Sequence, residues 1–151
     1  MILIGVAAAM GQGVGKPRDW RGLRPMHSNC DDVKRVLGVT TCKPPDGEYD
    51  MGTERVKIVF SSVKCDRAWQ KNWNVPTGTV LSIERHFRKP IPLSEFDVDL
   101  SKFGRISTDS DLLIYSGAEE GIEMWVVGNE IRDLYYEPIP SDKTLLCICP
   151  P

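Results

Sequence analysis

Ile122-Glu-Met-Trp-Val-Val-Gly-Asn-Glu-Ile-Arg-Asp-Leu-Tyr-Tyr136 reads as two strands joined by a two-residue turn. Gly128-Asn129 between apolar runs is a strong hairpin signal, because both residue types tolerate the positive φ that such turns need. Simple pairing across the turn places Val126 opposite Ile131 and Trp125 opposite Arg132. One face then carries Ile122, Met124 and Val126, and the other Trp125, Arg132, Leu134 and Tyr136. The second face is more apolar than a solvated face should be. Asp133 falls among the apolar residues of the first, and a slip of one residue would exchange the two faces.

An earlier stretch chooses between the faces. Val56, Ile58 and Phe60 alternate with Arg55 and Lys57, as in a strand with one buried side. Sixty-six residues later the same alternation recurs as Ile122, Met124 and Val126. Ser28, Asp31, Gly38, Tyr49 and Glu54 likewise recur as Ser94, Asp97, Gly104, Tyr115 and Glu120. The echo points to one helix-plus-strands unit used twice, and it makes Ile122, Met124 and Val126 core residues.

Around these strands the punctuation is local. Ser28-Asn-Cys-Asp31 reads as an N-cap box with the Ser28 hydroxyl as the cap. Cys30, Val33 and Leu37 follow at helical spacing, and Gly38 can stop the chain in a left-handed C-cap, so a helix is expected over 29–37. Strands are expected at 49–51, 55–61 and 78–87, the last broken by Arg88-Lys-Pro-Ile-Pro92. In the second half Phe96, Leu100 and Phe103 have helical spacing, although Phe96, Val98 and Leu100 also alternate. Strands at 112–115, 121–127 and 130–136 follow, and Pro138 and Pro140 end the sheet. The expected fold is α+β: short helices packed on one face of an antiparallel sheet, in two tandem helix-plus-three-strand units.

Residues Ser28 to Phe60 resemble a half-unit of the small exported bacterial modules of the OmlA-like lipoprotein and β-lactamase-inhibitor-protein-like group. The resemblance rests on the D-V-x-x-x-L-G pattern Asp32-Val-Lys-Arg-Val-Leu-Gly38, then Tyr49 and the strand Arg55 to Phe60. His27-Ser28, Asp32-Val33, Leu37-Gly38 and Trp73-Asn-Val-Pro76 also look like a set of uncharacterised exported bacterial proteins. The resemblance implies helices on one face of an antiparallel sheet and brings no activity with it. The second half does not carry the helix pattern, and no Cys stands where a lipid anchor would need one.

Length and composition bound the rest. A chain of 151 residues is about one domain, and 41% hydrophobic with 26% charged residues is ordinary for a globular fold. The net charge of −2 supplies no global field for nucleic acid or anionic membrane. Residues 1–13 are an apolar run ending in small residues, read as a truncated export signal that lacks its basic segment. An N-terminal strand or short buried helix is the alternative. Residues 14–26 are an irregular lead-in, and 27–151 a single domain with half-units 27–92 and 93–140 and a tail 141–151. No stretch is long and apolar enough to span a bilayer.

Five cysteines fit an exported protein. Cys42, Cys65, Cys147 and Cys149 are the disulfide candidates: Cys42 or Cys65 to the tail, or Cys42 to Cys65, with the connectivity open. Reduced thiols in a cytosolic protein are the alternative.

The chain carries few motifs for chemistry. Gly11-Gln-Gly-Val-Gly-Lys16 fails as a phosphate loop, because Met10 stands at the first Gly position and Pro17 follows the Lys. Cys147-Ile-Cys149 is too tight for a usual zinc pair, and no second pair accompanies it. Asp109, Asp111, Glu119 and Glu120 have no spacing that forces two carboxylates together. No metal or cofactor is therefore expected. Trp69 and Trp73 lie among Lys64, Arg67 and Lys71, a pattern that serves partner binding or simply a plugged core.

The leading expectation is a non-enzymatic extracytoplasmic binding or structural module, periplasmic or secreted, with a protein partner in the cell envelope. Its candidate binding residues are Trp69, Trp73, Trp125, Arg132, Leu134 and Tyr136. The competing expectation is a small thiol-dependent enzyme or hydrolase built on Cys30 and His27.

Overall fold

The computed structural model describes residues 19–62, 65, 73–108 and 111–147. The export-signal reading, Trp69 and Cys149 lie outside these residues. The described chain forms one helix, α1 (Cys30–Leu37), and seven strands: β1 (Asp46–Asp50), β2 (Glu54–Phe60), β3 (Val80–Pro92), β4 (Gly104–Ser107), β5 (Leu112–Gly117), β6 (Ile122–Val127) and β7 (Glu130–Tyr136). All seven join a single antiparallel sheet in the order β1-β2-β3-β7-β6-β5-β4. Two meanders thus meet at their last strands, β3 against β7.

Helix α1 occupies the expected place, with one correction at its start. Asn29 is the cap: its side chain accepts from the N–H groups of Asp31 and Asp32, and Asp32 accepts from Asn29 N–H at 3.0 Å. Ser28 lies one residue too early, and its hydroxyl accepts instead from Arg24 N–H at 2.9 Å. The Arg35 guanidinium and the Asn29 N–H hold the Asp32 carboxyl below its usual range. Gly38 ends the helix at φ 67°, the left-handed C-cap its sequence position implied.

The expected second helix does not form. Residues 93–103 make two short 3-10 turns, Leu93–Glu95 and Leu100–Lys102, the latter capped by the Asp99 side chain on Ser101 N–H. Gly104 opens strand β4 rather than stopping a helix. Pro90 and Pro92 do not break β3 either. That strand runs on to Pro92, and its pairing with β7 skips from His86 to Ile91, so Pro90, which lacks an N–H, has no place in that ladder.

The buried residues Val56, Ile58, Phe60, Val80, Ile83, Ile122, Met124, Val126, Ile131, Leu134 and Tyr136 belong to one core cluster. Trp20, Leu23, Val33 and Phe96 complete it from outside the sheet. One ion pair lies within this layer. Arg85 donates to Glu54 through Nε at 2.6 Å and Nη2 at 3.3 Å, and Glu54 is only 4% exposed. The Arg85 guanidinium also lies over the rings of Phe87 and Trp20, at 4.7 and 5.6 Å. A smaller cluster of Met26, Trp73 and Val75 packs with Leu81, Leu145 and Leu146.

Two disulfides tie these parts. Cys65–Cys147 joins the 62–76 connection to the tail, one of the pairings left open by sequence. Cys42 pairs with Cys30, not with Cys65 or the tail, because α1 presents Cys30 to the segment that follows it.

Candidate binding face

The hairpin read first from sequence carries one irregularity that decides the surface. Gly128 and Asn129 both have positive φ, 57° and 67°, as a two-residue turn requires. Val127 faces Glu130 and Val126 faces Ile131, but Trp125 then faces Asp133. Arg132 is the extra residue of a β-bulge, with no residue opposite it in β6 or β3. Beyond it every side chain of β7 points to the face opposite the one simple alternation assigns. Leu134 and Tyr136 are therefore core residues, 0% and 1% exposed, opposite Met124 and Ile122. Asp133, the misfit of the simple alternation, turns outward.

Residues directly paired across an antiparallel sheet share a face, so the registers define the outer surface row by row. One row is Glu48, Lys57, Glu84, Tyr135, Glu123 and Ser116. The next runs Arg55, His86, Asp133, Trp125, Ile114 and Ile106. The β2–β3 side of this face is charged, and the β5–β4 side is apolar.

The two rows interlock at β7. Trp125 and Tyr135 are 5.3 Å apart between ring centroids and tilted by 48°. His86 meets Tyr135 edge-on at 6.3 Å, and its Nδ1 lies 2.6 Å from Asp133 Oδ1. Trp125 donates through its indole N–H to Glu123 at 2.7 Å, and Lys57 donates to Glu84 at 3.4 Å. The phenol of Tyr135 is pushed up to about 12, first by burial and then by the charges of Asp133, Glu84 and Glu123. An aromatic pair among three carboxylates is the local character of this surface. Carboxylate and imidazole spacing here makes no metal cage: among the described residues no group of three or more His, Cys, Asp or Glu is placed to hold an ion.

The remaining sequence candidates scatter. Trp73 is 8% exposed, plugging the small cluster, with its ring beside a cavity of about 280 Å³ between the β5–β6 turn and the tail. Arg132 is exposed and lies 3.8 Å from Glu130. Of the five candidates among the described residues, only Trp125 lies on the outer face as a half-buried aromatic. Cys30 is committed to its disulfide, and His27 Nε2 lies 3.1 Å from Asp142 Oδ1, so the two form no thiol–imidazole pair.

Tyr135, Glu84, Asp133 and Glu123 are not among the residues the sequence marks for binding. The one sequence signal for them is Asp133 itself, a carboxylate on a nominal core face. No protein-family model, curated protein or solved structure matches this chain.

Proposed function

We propose that this chain is a non-enzymatic extracytoplasmic binding module, and that the outer sheet face around Trp125 and Tyr135 engages a protein partner in the cell envelope. The observation that carries the reading is the tilted Trp125–Tyr135 pair ringed by Glu84, Glu123 and Asp133. Both rings are only half-buried. Aromatic anchors dominate binding energies at protein interfaces. Ring faces among carboxylates fit a partner that presents an Arg or Lys between apolar side chains. Two disulfides, with no membrane-crossing helix among the described residues, are compatible with an oxidising compartment.

The finer architectural reading belongs to the same proposal: α1 covers the core face, and the halves derive from one repeated unit. Its support is that Tyr49 and Tyr115 lie on β1 and β5, and the two inward triads on β2 and β6, at mirrored positions in the strand order.

Trp125→Ala in the full oxidised chain should abolish co-purification of the envelope partner while leaving thermal unfolding nearly unchanged. Glu123→Gln with Glu84→Gln should weaken it in a salt-dependent way. Undiminished capture by Trp125→Ala rejects this face, and loss of the fold shows Trp125 to be structural.

A further inference from the structure

We propose that this chain associates with a second copy of itself through its β4 edge, the two strands running antiparallel with Ile106 facing Ile106 across a twofold axis. The inference does not rest on the Trp125 reading. Strand β4 ends the sheet on one side, and no described residue pairs with its far side. All four of its residues are exposed, and Ile106, at 58%, is the more exposed of the two large apolar side chains exposed among the described residues.

The direction of the free backbone groups follows from the ladder. Thr108 N–H donates to the Leu112 carbonyl at 3.1 Å, which makes Thr108 and Leu112 a hydrogen-bonded pair. Such pairs alternate along an antiparallel ladder. Ile106 and Gly104 therefore turn their N–H and C=O toward β5, opposite Ile114 and Ser116. Arg105 and Ser107 turn theirs to the open side. The same parity, carried through β5 and β6, makes Val127–Glu130 a hydrogen-bonded pair, as closure of the Gly128–Asn129 turn requires.

These groups are self-complementary in one register. Centring the twofold axis on Ile106 sets Arg105 against Ser107 of the second copy, twice. Each such pair exchanges both N–H···O bonds, and Ile106 meets its counterpart at the close, non-hydrogen-bonded spacing. Centring on Arg105 instead would oppose two guanidinium groups, which destabilises. Centring on Ser107 would slide Ile106 onto Thr108. In the chosen register the outer apolar row Trp125, Ile114, Ile106 continues into the second molecule. The opposite edge of the sheet is built against such pairing. Strand β1 carries Asp46, Glu48 and Asp50 among its five residues, so two copies would bring carboxylates together.

A four-residue edge gives a small contact, below about 1,200 Å², so the dimer is weak and concentration-dependent. Sedimentation equilibrium of the full oxidised chain should show it populated as concentration rises toward about 1 mM. Arg105→Pro removes an N–H that points away from β5 and leaves the β4–β5 ladder intact. Ile106→Lys sets two cations face to face. Both variants should be monomeric at all these concentrations with the wild-type melting temperature. If Arg105→Pro fails to fold, Ile106→Lys decides alone. A wild-type chain that stays monomeric throughout, or a dimer that survives Ile106→Lys, overturns the proposal.

Discussion

Trp125 and Asp133 stand directly opposite each other on the outer face, and Arg132 between Ile131 and Asp133 has no opposite residue in either neighbouring strand. That one unpaired residue sends Tyr135 outward and Leu134 and Tyr136 inward.

The bulge makes a direct stability prediction. Leu134→Ala should cost about 2–5 kcal/mol, because it empties a fully buried site. Trp125→Ala, on the half-buried outer face, should cost clearly less. Urea unfolding of the two variants checks the order, and the reverse order would restore the simple alternation.

Glu54 and Arg85 form an ion pair inside the core layer, with side chains 5% and 14% exposed. Removing one partner strands the other charge, so Glu54→Ala should destabilise by about 3–5 kcal/mol. Replacing both with Met should be much milder, since the pair's desolvation cost disappears with it. A double variant as unstable as Glu54→Ala would assign the loss to packing rather than charge.

Alkaline pH should weaken the fold through Tyr135. Its phenol is raised from 10.0 to about 12 in the folded chain. Below about pH 10 the folded and unfolded states both keep the proton, and the contribution of this phenol is fully present. Between about 10 and about 12 the unfolded chain loses the proton and the folded chain keeps it, so stability falls as pH rises. Burial also raises the Tyr136 phenol, so Tyr135→Phe should flatten the fall without removing it. Unfolding titrations across this window would show the difference, and superimposable curves would discount Tyr135.

The two disulfides should differ in weight. Cys65–Cys147 spans 82 residues and Cys30–Cys42 spans 12. The chain-entropy account gives about 4.5 and about 3 kcal/mol respectively. Paired Cys→Ser variants, compared by thermal unfolding, should rank in that order. A larger loss at Cys30–Cys42 would point to its hold on α1 instead.

Legibility followed the range of each signal. Helix α1 was readable because its cap, apolar spacing and Gly38 all lie within ten residues, though the cap proved to be Asn29. Strands β2, β6 and β7 and the Gly128–Asn129 turn were readable from alternation and turn chemistry. Strand β4 was missed: four residues at a sheet edge carry no alternation to detect. The helical spacing of Phe96, Leu100 and Phe103 makes no helix: separate turns bury Phe96 and part-bury Phe103 against the core, while Leu100 is exposed. Trp125 faces outward, whereas Leu134 and Tyr136, which the simple alternation put beside it, turn into the core past the bulge.

The amino-acid order by itself determined the local elements: the place of α1 and its stop at Gly38, which residues of β2 and β6 turn inward, and where the last hairpin reverses. Only the tertiary structure decided the surface. A bulge is visible only in the pairing of two strands, since no local preference of Arg132 demands it. The row that joins Arg55, His86, Asp133, Trp125, Ile114 and Ile106 draws on strands far apart in sequence. Their proximity is a product of hydrogen-bond register across the whole sheet, which periodicity along one segment does not encode.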